Sequence, residues 1–178
     1  MTALQAHTHL DSHLDRPLDS ESYKTVFRQH PAGVAVVTLR DPVGNPLGFT
    51  ATSVISVSAA PPLLAFSIAS TSSSWPALSR AATLVVSFLA EDQDDVAARF
   101  ATSGIDRFAA GGWSRLPTGE PVIEGALTRV RGRVLQRTAA GGSFLVSVLA
   151  LDSDTRPGSS PLVYHDRSYH RLSDDTAI

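Results

Sequence analysis

Short apolar runs separated by turn-forming residues are the feature that most constrains how this chain can fold. Such runs lie at residues 33–39, 63–70, 83–89 and 143–153, and proline-, glycine- or serine-rich segments connect them. Apolar runs of this length between turn signals are typical of β-strands. Many short strands with few helical segments predict a mainly β domain, closed or partly closed into a barrel, with a few short peripheral helices.

The segment from residue 48 to residue 58 is the most informative of the predicted strands, because its two faces differ. Successive side chains of a strand point to opposite faces of the sheet. One face would be mainly apolar, with Phe49, Ala51, Ser53, Ile55 and Val57, and the other mainly hydroxyl-bearing, with Thr50, Thr52, Val54, Ser56 and Ser58. A polar strand face is most often simply solvated. The alternative is that its hydroxyls hydrogen-bond a ligand.

Three segments carry helical signals, at residues 21–30, 75–80 and 91–101. The first has Tyr23, Val26 and Phe27 on one side, as an amphipathic helix requires. Ser20 or Ser22 could cap its N-terminus. Later in the chain, alternating arginines at 129, 131 and 133 predict a solvated outer face of a long strand, with a docking surface for a partner as the less common alternative.

Composition excludes several classes of protein. The 178 residues fit one domain, and a formal net charge of −2 without a basic cluster argues against nucleic-acid binding. The absence of cysteine excludes thiolate catalysis, iron–sulfur clusters and cysteine-ligated zinc. No apolar run is long enough to span a membrane and no secretory signal is present, so we expect a cytoplasmic protein that contacts no membrane.

The first 20 residues are polar and predict a flexible tail, which leaves residues 21–178 as one folded domain. Three histidines in this tail, together with two aspartates, could chelate a metal: His7, His9, Asp11, His13 and Asp15. A tail this polar is more often disordered than organised around an ion. We therefore predict no metal site.

The serine-rich segment before residue 75 is a candidate phosphate site. Its hydroxyls are those of Ser70, Ser72, Ser73 and Ser74. Together with the unpaired N–H groups of a helix beginning near Trp75, they would accept an anion. Arg107 could reach the same region after folding. The alternative is a flexible, capped loop that binds nothing.

The order of these segments resembles that of the flavin reductase family, whose members are FMN-binding split barrels. The resemblance extends from about Tyr23 to Leu172, and most of its specificity lies in GFTATSVISVSAAPP at residues 48–62. The serine-rich turn, the helical EDQDDVAARFA, the Arg107-Phe108 pair and the terminal PLVYHDRSYHRL follow in the family's order. The resemblance implies a split β-barrel.

The resemblance also implies an activity, NAD(P)H-dependent flavin reduction, in which NADH or NADPH transfers a hydride to bound FMN or FAD. It further implies a homodimer with flavin near the subunit interface, and a flavin-dependent monooxygenase as a partner that receives the reduced flavin. We assign no catalytic residue, because hydride transfer from a nicotinamide to a flavin depends on alignment more than on a protein acid or base.

Matching family positions indicate which residues would bind the cofactor. They are Thr50, Ala51, Thr52, Ser53, Ser67, Ser70, Ser73, Ser74, Trp75, Arg107, Phe108, Ser143, Tyr164 and His165. Among them, Trp75 and Phe108 would lie near the flavin ring or its ribityl chain. Tyr164 and His165 belong to the C-terminal region that approaches the nicotinamide in the family.

One motif departs from the family pattern. Many members carry Gly-Asp-His at the start of the penultimate long strand, where this chain has Gly141, Gly142, Ser143 and Phe144. A serine hydrogen-bonds but does not titrate near neutral pH as a histidine does. The departure motivates an alternative function, a flavin-binding protein without reductase activity that acts as a carrier or electron-transfer module. A third possibility is an interaction domain that has lost the ligand.

Overall fold

The computed structural model describes residues 16–156 and 158–172. Its helices are α1 (Ser20–Arg28), α2 (Trp75–Leu78) and α3 (Asp94–Ala101). Its strands are β1 (Ala32–Gly33), β2 (Ala35–Arg40), β3 (Pro46–Ala51), β4 (Ile55–Ala59), β5 (Pro62–Ala69), β6 (Thr83–Phe88), β7 (Trp113–Arg115), β8 (Pro121–Ile123), β9 (Thr128–Ala140), β10 (Ser143–Thr155), β11 (Leu162–His165) and β12 (Ser168–Arg171). The predicted mainly β fold with short helices is confirmed. The predicted boundary between tail and domain stays a prediction.

Seven antiparallel strands form one curled sheet in the order β3, β2, β6, β9, β10, β5 and β4. Its first and last strands, β3 and β4, are joined directly by residues 52–54. The hydroxyl of Ser53 accepts a hydrogen bond from the Ser67 N–H at 3.0 Å and donates one to the Ser67 carbonyl at 3.2 Å. These bonds tie the link to β5, while β3 and β5 approach without a ladder, so the barrel is split there.

The predicted single strand from residue 48 to residue 58 is wrong, because the chain leaves β3 at Ala51 and enters β4 only at Ile55. Phe49 and Ala51 are buried as expected. Ile55 and Val57 were expected on the same apolar face, but they are 56% and 53% exposed. The reason is that residues 52–54 carry the chain from one sheet edge to the other, and the alternation does not keep its phase across that crossing.

The apolar core has two parts, one on each face of β2. Val37 and Leu39 belong to the cluster inside the barrel, whereas Val36, together with Val34 just before the strand, packs outside it, against α3 and β11. Gly48 on β3 lets α3 come close: a Cβ at this position would lie 2.9 Å from Phe100 Cε1. The close approach of α3 to β3 defines one wall of the site described below.

Helix α1 confirms the predicted N-terminal helix but not its predicted cap. Asp19, rather than Ser20 or Ser22, is the N-cap, and its Oδ1 accepts the N–H groups of Glu21 and Ser22 at 3.0 Å each. A carboxylate also complements the positive end of the helix dipole, an advantage that a serine hydroxyl lacks. None of the helices in the described ranges is long and apolar enough to cross a membrane.

The arginines of β9 do not form the uniformly solvated face that their spacing predicts. Arg131 pairs with the buried Glu120 at 3.0 Å, and Arg129 pairs with Asp152 at 3.0 Å. The side chains of Arg129 and Arg131 are largely buried, while Arg133 is exposed as expected. The interpretation therefore fails for two of the three positions, because their acidic partners come from other strands and turns.

Candidate functional site

An open cleft of about 410 Å³ lies where the barrel splits, between β3, β5 and the end of α3. We call it the serine cleft. It is lined by Phe49, Thr50, Ser67, Ile68, Ala69, Thr71, Ser72, Ser73, Phe100, Ala101, Ser103 and Arg107. Its volume is within the range of roughly 300–1,000 Å³ that is usual for small-molecule sites. Hydroxyl groups and one guanidinium make up its polar lining.

Arg107 is the charged group of the serine cleft, and main-chain carbonyls hold it in place. Its Nη1 donates to the Gly48 carbonyl at 2.6 Å and its Nε to the Thr102 carbonyl at 2.9 Å. Burial lowers the pKa of Arg107 from its ordinary value, but an arginine stays protonated at physiological pH. Within residues 16–156 and 158–172, no carboxylate forms an ion pair with this side chain. Its positive charge is therefore available to an anionic ligand.

Residues 70–74, the serine loop, form the rim of the cleft beside Arg107. The loop is a series of tight turns, in which the Ser72 N–H donates to the Ala69 carbonyl and the Ser74 N–H to the Ser72 hydroxyl. Ser74 is buried, and its hydroxyl lies 3.5 Å from Arg107 Nη1. The following helix, α2, has only four residues, so its dipole is small. An anion here would thus be held by loop groups and Arg107 more than by the helix that the sequence suggested.

The predicted hydroxyl-bearing strand supplies only part of what was expected. Thr50 lines the cleft, and its hydroxyl donates to the Ala97 carbonyl at 2.7 Å, which leaves its oxygen as an acceptor for a ligand. Ser67, from β5, presents an exposed hydroxyl to the same space. The other three predicted residues of this segment do not line the cleft. Ala51 is buried and Thr52 is exposed. The hydroxyl of Ser53 is hydrogen-bonded to the main chain of Ser67.

The predicted aromatic residues are packed against protein. Trp75 stacks on Phe144 with ring centroids 3.7 Å apart and planes 12° from parallel. Phe108 is only 8% exposed and packs edge-on against Phe100 at 5.0 Å and Trp113 at 5.1 Å. Phe108 therefore belongs to the apolar core, and the aromatic residues that line the cleft are Phe49 and Phe100.

Four further predicted residues lie outside the cleft lining. Ser70 and Ser143 are at its margin, where the Ser70 hydroxyl donates to the Gly142 carbonyl at 2.9 Å and Ser143 pairs with Ala69. Tyr164 and His165 line a second cleft, of about 350 Å³, between α1 and the β11–β12 hairpin. Within one chain the structure does not bring these two residues to the serine cleft.

Sequence reasoning missed some residues of the cleft. Thr71 lies inside the serine run and could have been found there. Ser103 and Ala101 reach the site only because α3 packs on β3, and no local pattern signals this. The histidines of the predicted metal alternative lie outside the described residues. Across residues 16–156 and 158–172, no group of three potential ligands is placed to hold a metal ion.

Comparison with known proteins gives matches over most of the chain. The family model of the flavin reductase like domain matches residues 27–173. The NADH:FMN oxidoreductase of Rhodococcus qingshengii is 46% identical over 154 residues, which cover 84% of this chain and 80% of that protein. The reductase subunit HsaB of a flavin-dependent monooxygenase from Rhodococcus jostii is 31% identical over 162 residues, covering 90% and 82%.

A solved structure of similar fold holds the expected kinds of ligand. The NADH:FAD oxidoreductase of Streptomyces globisporus, in complex with NAD and FAD fragments, superposes with a TM-score of 0.83 at 26% identity, covering 89% of this chain and 96% of that one. The split-barrel fold expected from the sequence is thereby confirmed.

Proposed function

This chain belongs to the flavin reductase like family, and from that premise we propose that it is an NADH-dependent flavin reductase that supplies reduced flavin to a partner monooxygenase. The observation that carries the proposal is the position of Arg107 in a hydroxyl-lined cleft. Its guanidinium is partly buried and has no carboxylate partner among the described residues. Two relatives named as NADH oxidoreductases support the donor, and the more similar of them supports FMN as the flavin.

The residues of the serine cleft fit a phosphorylated flavin. Arg107 and the serine loop would hold the phosphate, because charge-assisted hydrogen bonds are the stronger kind. Thr50 and Ser67 would bind polar atoms of the ring system or the ribityl chain, beside apolar surface from Ile68. The bound flavin would supply two-electron chemistry, and the protein would supply position and electrostatics.

The donor side differs from the common family pattern. The segment from Gly141 to Phe144 contains no titratable side chain. Since hydride transfer depends on alignment more than on a protein acid or base, we propose that the activity persists without this histidine. The alternative of a flavin-binding protein without reductase activity makes a different prediction, namely tight FMN binding with no oxidation of NADH.

We also propose that the protein acts as a homodimer in the cytoplasm. The support is an apolar groove of about 400 Å³ beside β4, which a second copy of the chain would cover in the dimer. The groove includes Ile55, Leu63, Phe88 and Val130, and Ile55 is more than half exposed. Exposed apolar surface of this kind is typical of protein interfaces.

The activity is tested by mixing the FMN-loaded protein with NADH in an anaerobic stopped-flow instrument. We expect the absorbance of oxidised flavin to bleach with NADH, and expect the product to reoxidise when oxygen is admitted. Tight FMN binding without bleaching by NADH or NADPH would contradict reductase activity and favour the carrier alternative. Absence of FMN binding would contradict both.

The role of Arg107 is tested by Arg107→Gln, with Arg80→Gln as the matched control. Loss of a charged hydrogen-bonding partner should weaken FMN binding about ten- to a hundredfold. The affinity for riboflavin, which has no phosphate, should fall much less in the same variant. Arg80 is exposed and lies outside the serine cleft, so its variant should bind FMN like the wild type. Equal FMN affinity in both variants would remove Arg107 from the phosphate site.

A further inference from the structure

The turn between β9 and β10 contacts the serine loop at its beginning. The Ser70 N–H and the Ser70 hydroxyl both donate to the Gly142 carbonyl, each at 2.9 Å. Ser143 then pairs with Ala69, the residue before the loop. The β9–β10 turn, where the family's Gly-Asp-His is replaced, thus fixes the entry to the loop.

A stacked aromatic pair fixes the other end of the loop. Trp75 follows the loop directly, and its main-chain N–H donates to the Ser72 carbonyl at 3.0 Å. Its indole lies flat on the ring of Phe144, with centroids 3.7 Å apart. Both side chains are half-buried against the core inside the barrel. The five-residue loop is therefore held at both ends by one short segment, residues 142–144, where the turn passes into β10.

We propose that Phe144 is a positioning residue that pre-orders the serine loop through Trp75 and so gives the site its preference for a flavin that carries a phosphate. The inference rests on the proposed function, since it assumes that the serine cleft binds flavin. Phe144 itself is not part of the cleft lining and acts through Trp75. The segment that lacks the family's histidine has a structural role in this chain, which is to hold the loop.

The physical reason is the entropy of ordering. Immobilising an exposed loop upon binding opposes association, and contacts that order the loop beforehand reduce that opposition. Only a ligand with a phosphate uses the loop hydroxyls, so only such a ligand benefits. Removing a favourable aromatic pair should therefore weaken FMN binding by about two- to tenfold and leave riboflavin binding nearly unchanged.

The test compares the affinities for FMN and riboflavin in three variants of β10. Phe144→Leu removes the ring and keeps an apolar side chain, Phe144→Tyr keeps the ring, and Leu145→Ala changes the neighbouring, exposed side chain on the opposite face of the strand. Dissociation constants are measured from the quenching of flavin fluorescence, and thermal unfolding is followed for each variant. We expect the ratio of FMN affinity to riboflavin affinity to fall in Phe144→Leu only.

A second variant, Trp75→Leu, removes the other ring of the stack and should lower the same ratio to a similar extent. An unchanged ratio in both Phe144→Leu and Trp75→Leu, or an equal loss for both flavins, would overturn the inference. Such a result leaves FMN binding by the wild type intact and hence does not touch the proposed function. Failure of the wild type to bind FMN would overturn both.

Discussion

At the scale of single residues, Glu120 is a buried carboxylate that three side chains hold by hydrogen bonds. It is 1% exposed, and its carboxylate accepts hydrogen bonds from Arg131 Nε at 3.1 Å, from the Thr83 hydroxyl at 2.5 Å and from the Thr118 hydroxyl. Burial by itself raises the pKa, but the hydrogen bonds from Arg131, Thr118 and Thr83 outweigh it and lower the pKa of Glu120 to about 2. The ionised form is thus strongly favoured in the folded state.

The lowered pKa of Glu120 predicts a loss of stability in acid. The folded value of about 2 is below the ordinary value of 4.5, so the contribution is fully present above about pH 4.5 and is lost as the pH falls towards 2. Its size is of the order of 3 kcal/mol. Urea unfolding at a series of pH values should show this loss in the wild type. Glu120→Gln should be less stable near neutral pH and should lose less on acidification.

The exposed Glu124 provides the control, since Glu124→Gln should unfold like the wild type across the same range. An acid profile of Glu120→Gln that parallels the wild-type profile would contradict the role assigned to Glu120. The sequence could not reveal this network, because Glu120 precedes β8 and its partner Arg131 lies on β9. Spacing along β9 shows which arginines share a face, but not which carboxylate meets them.

At the scale of the elements, the three-residue link between β3 and β4 ties the open edge of the barrel to β5. Ser53 in this link makes both of its hydrogen bonds to the main chain of Ser67, in place of a strand ladder. The same Ser67 presents its side chain to the serine cleft. The link therefore connects the stability of the barrel with the shape of the site.

We expect Ser53→Ala to lower the free energy of unfolding by about 1–3 kcal/mol, because two hydrogen bonds are lost. The width of the cleft should change as well, so FMN affinity should fall. The control is Ser114→Ala, at an exposed position on β7, outside both the serine cleft and the apolar groove beside β4. Denaturant unfolding and flavin titration measure both effects. If Ser53→Ala matched Ser114→Ala in both measurements, the link would not be what ties the open edge of the barrel to β5.

The elements were largely predictable from local patterns, and the exceptions share a cause. Helix α3 buries Val96, Ala97 and Phe100 as its periodicity predicts. The terminal hairpin turns at Asp166 and Arg167, which both adopt positive φ as a tight two-residue turn requires. The strand after Gly48 was predicted as one piece, since alternation does not reveal where a chain crosses between sheet edges. Within one chain Tyr164 and His165 lie beside α1 and not at the serine cleft, and their contact with the cofactor stays a prediction.

At the scale of the whole molecule, the exposed apolar surface beside β4 predicts a dimer that a charge should disrupt. We expect Ile55→Lys to shift sedimentation velocity profiles towards monomer, because a lysine in a dimer interface would be desolvated. Val43→Lys is the control: Val43 is 82% exposed and lies in the turn between β2 and β3, away from the groove. A dimer that withstands Ile55→Lys but dissociates with Val43→Lys would put the interface elsewhere.

The barrel architecture and the family were accessible from the order of segments, but the site was accessible only in part. Arg107 and Ser73 were predicted, and the structure places both in the cleft. Phe108 was predicted to lie near the flavin; in the structure it packs against Phe100 in the core, and its contact with the cofactor stays a prediction. A motif shared with a family indicates which segments meet at a site, whereas packing decides which side chain of each segment faces the opening.

The direct passage from the first strand of the sheet to the last has a consequence for how the protein tolerates change in length. Added residues in the turn between β2 and β3 would extend a hairpin at the surface and leave the site alone. Added residues between Ala51 and Ile55 would instead allow β3 and β5 to move apart, because the connection at residues 52–54 has only three residues. The length of this connection therefore limits the width of ligand that the cleft between β3 and β5 can accept.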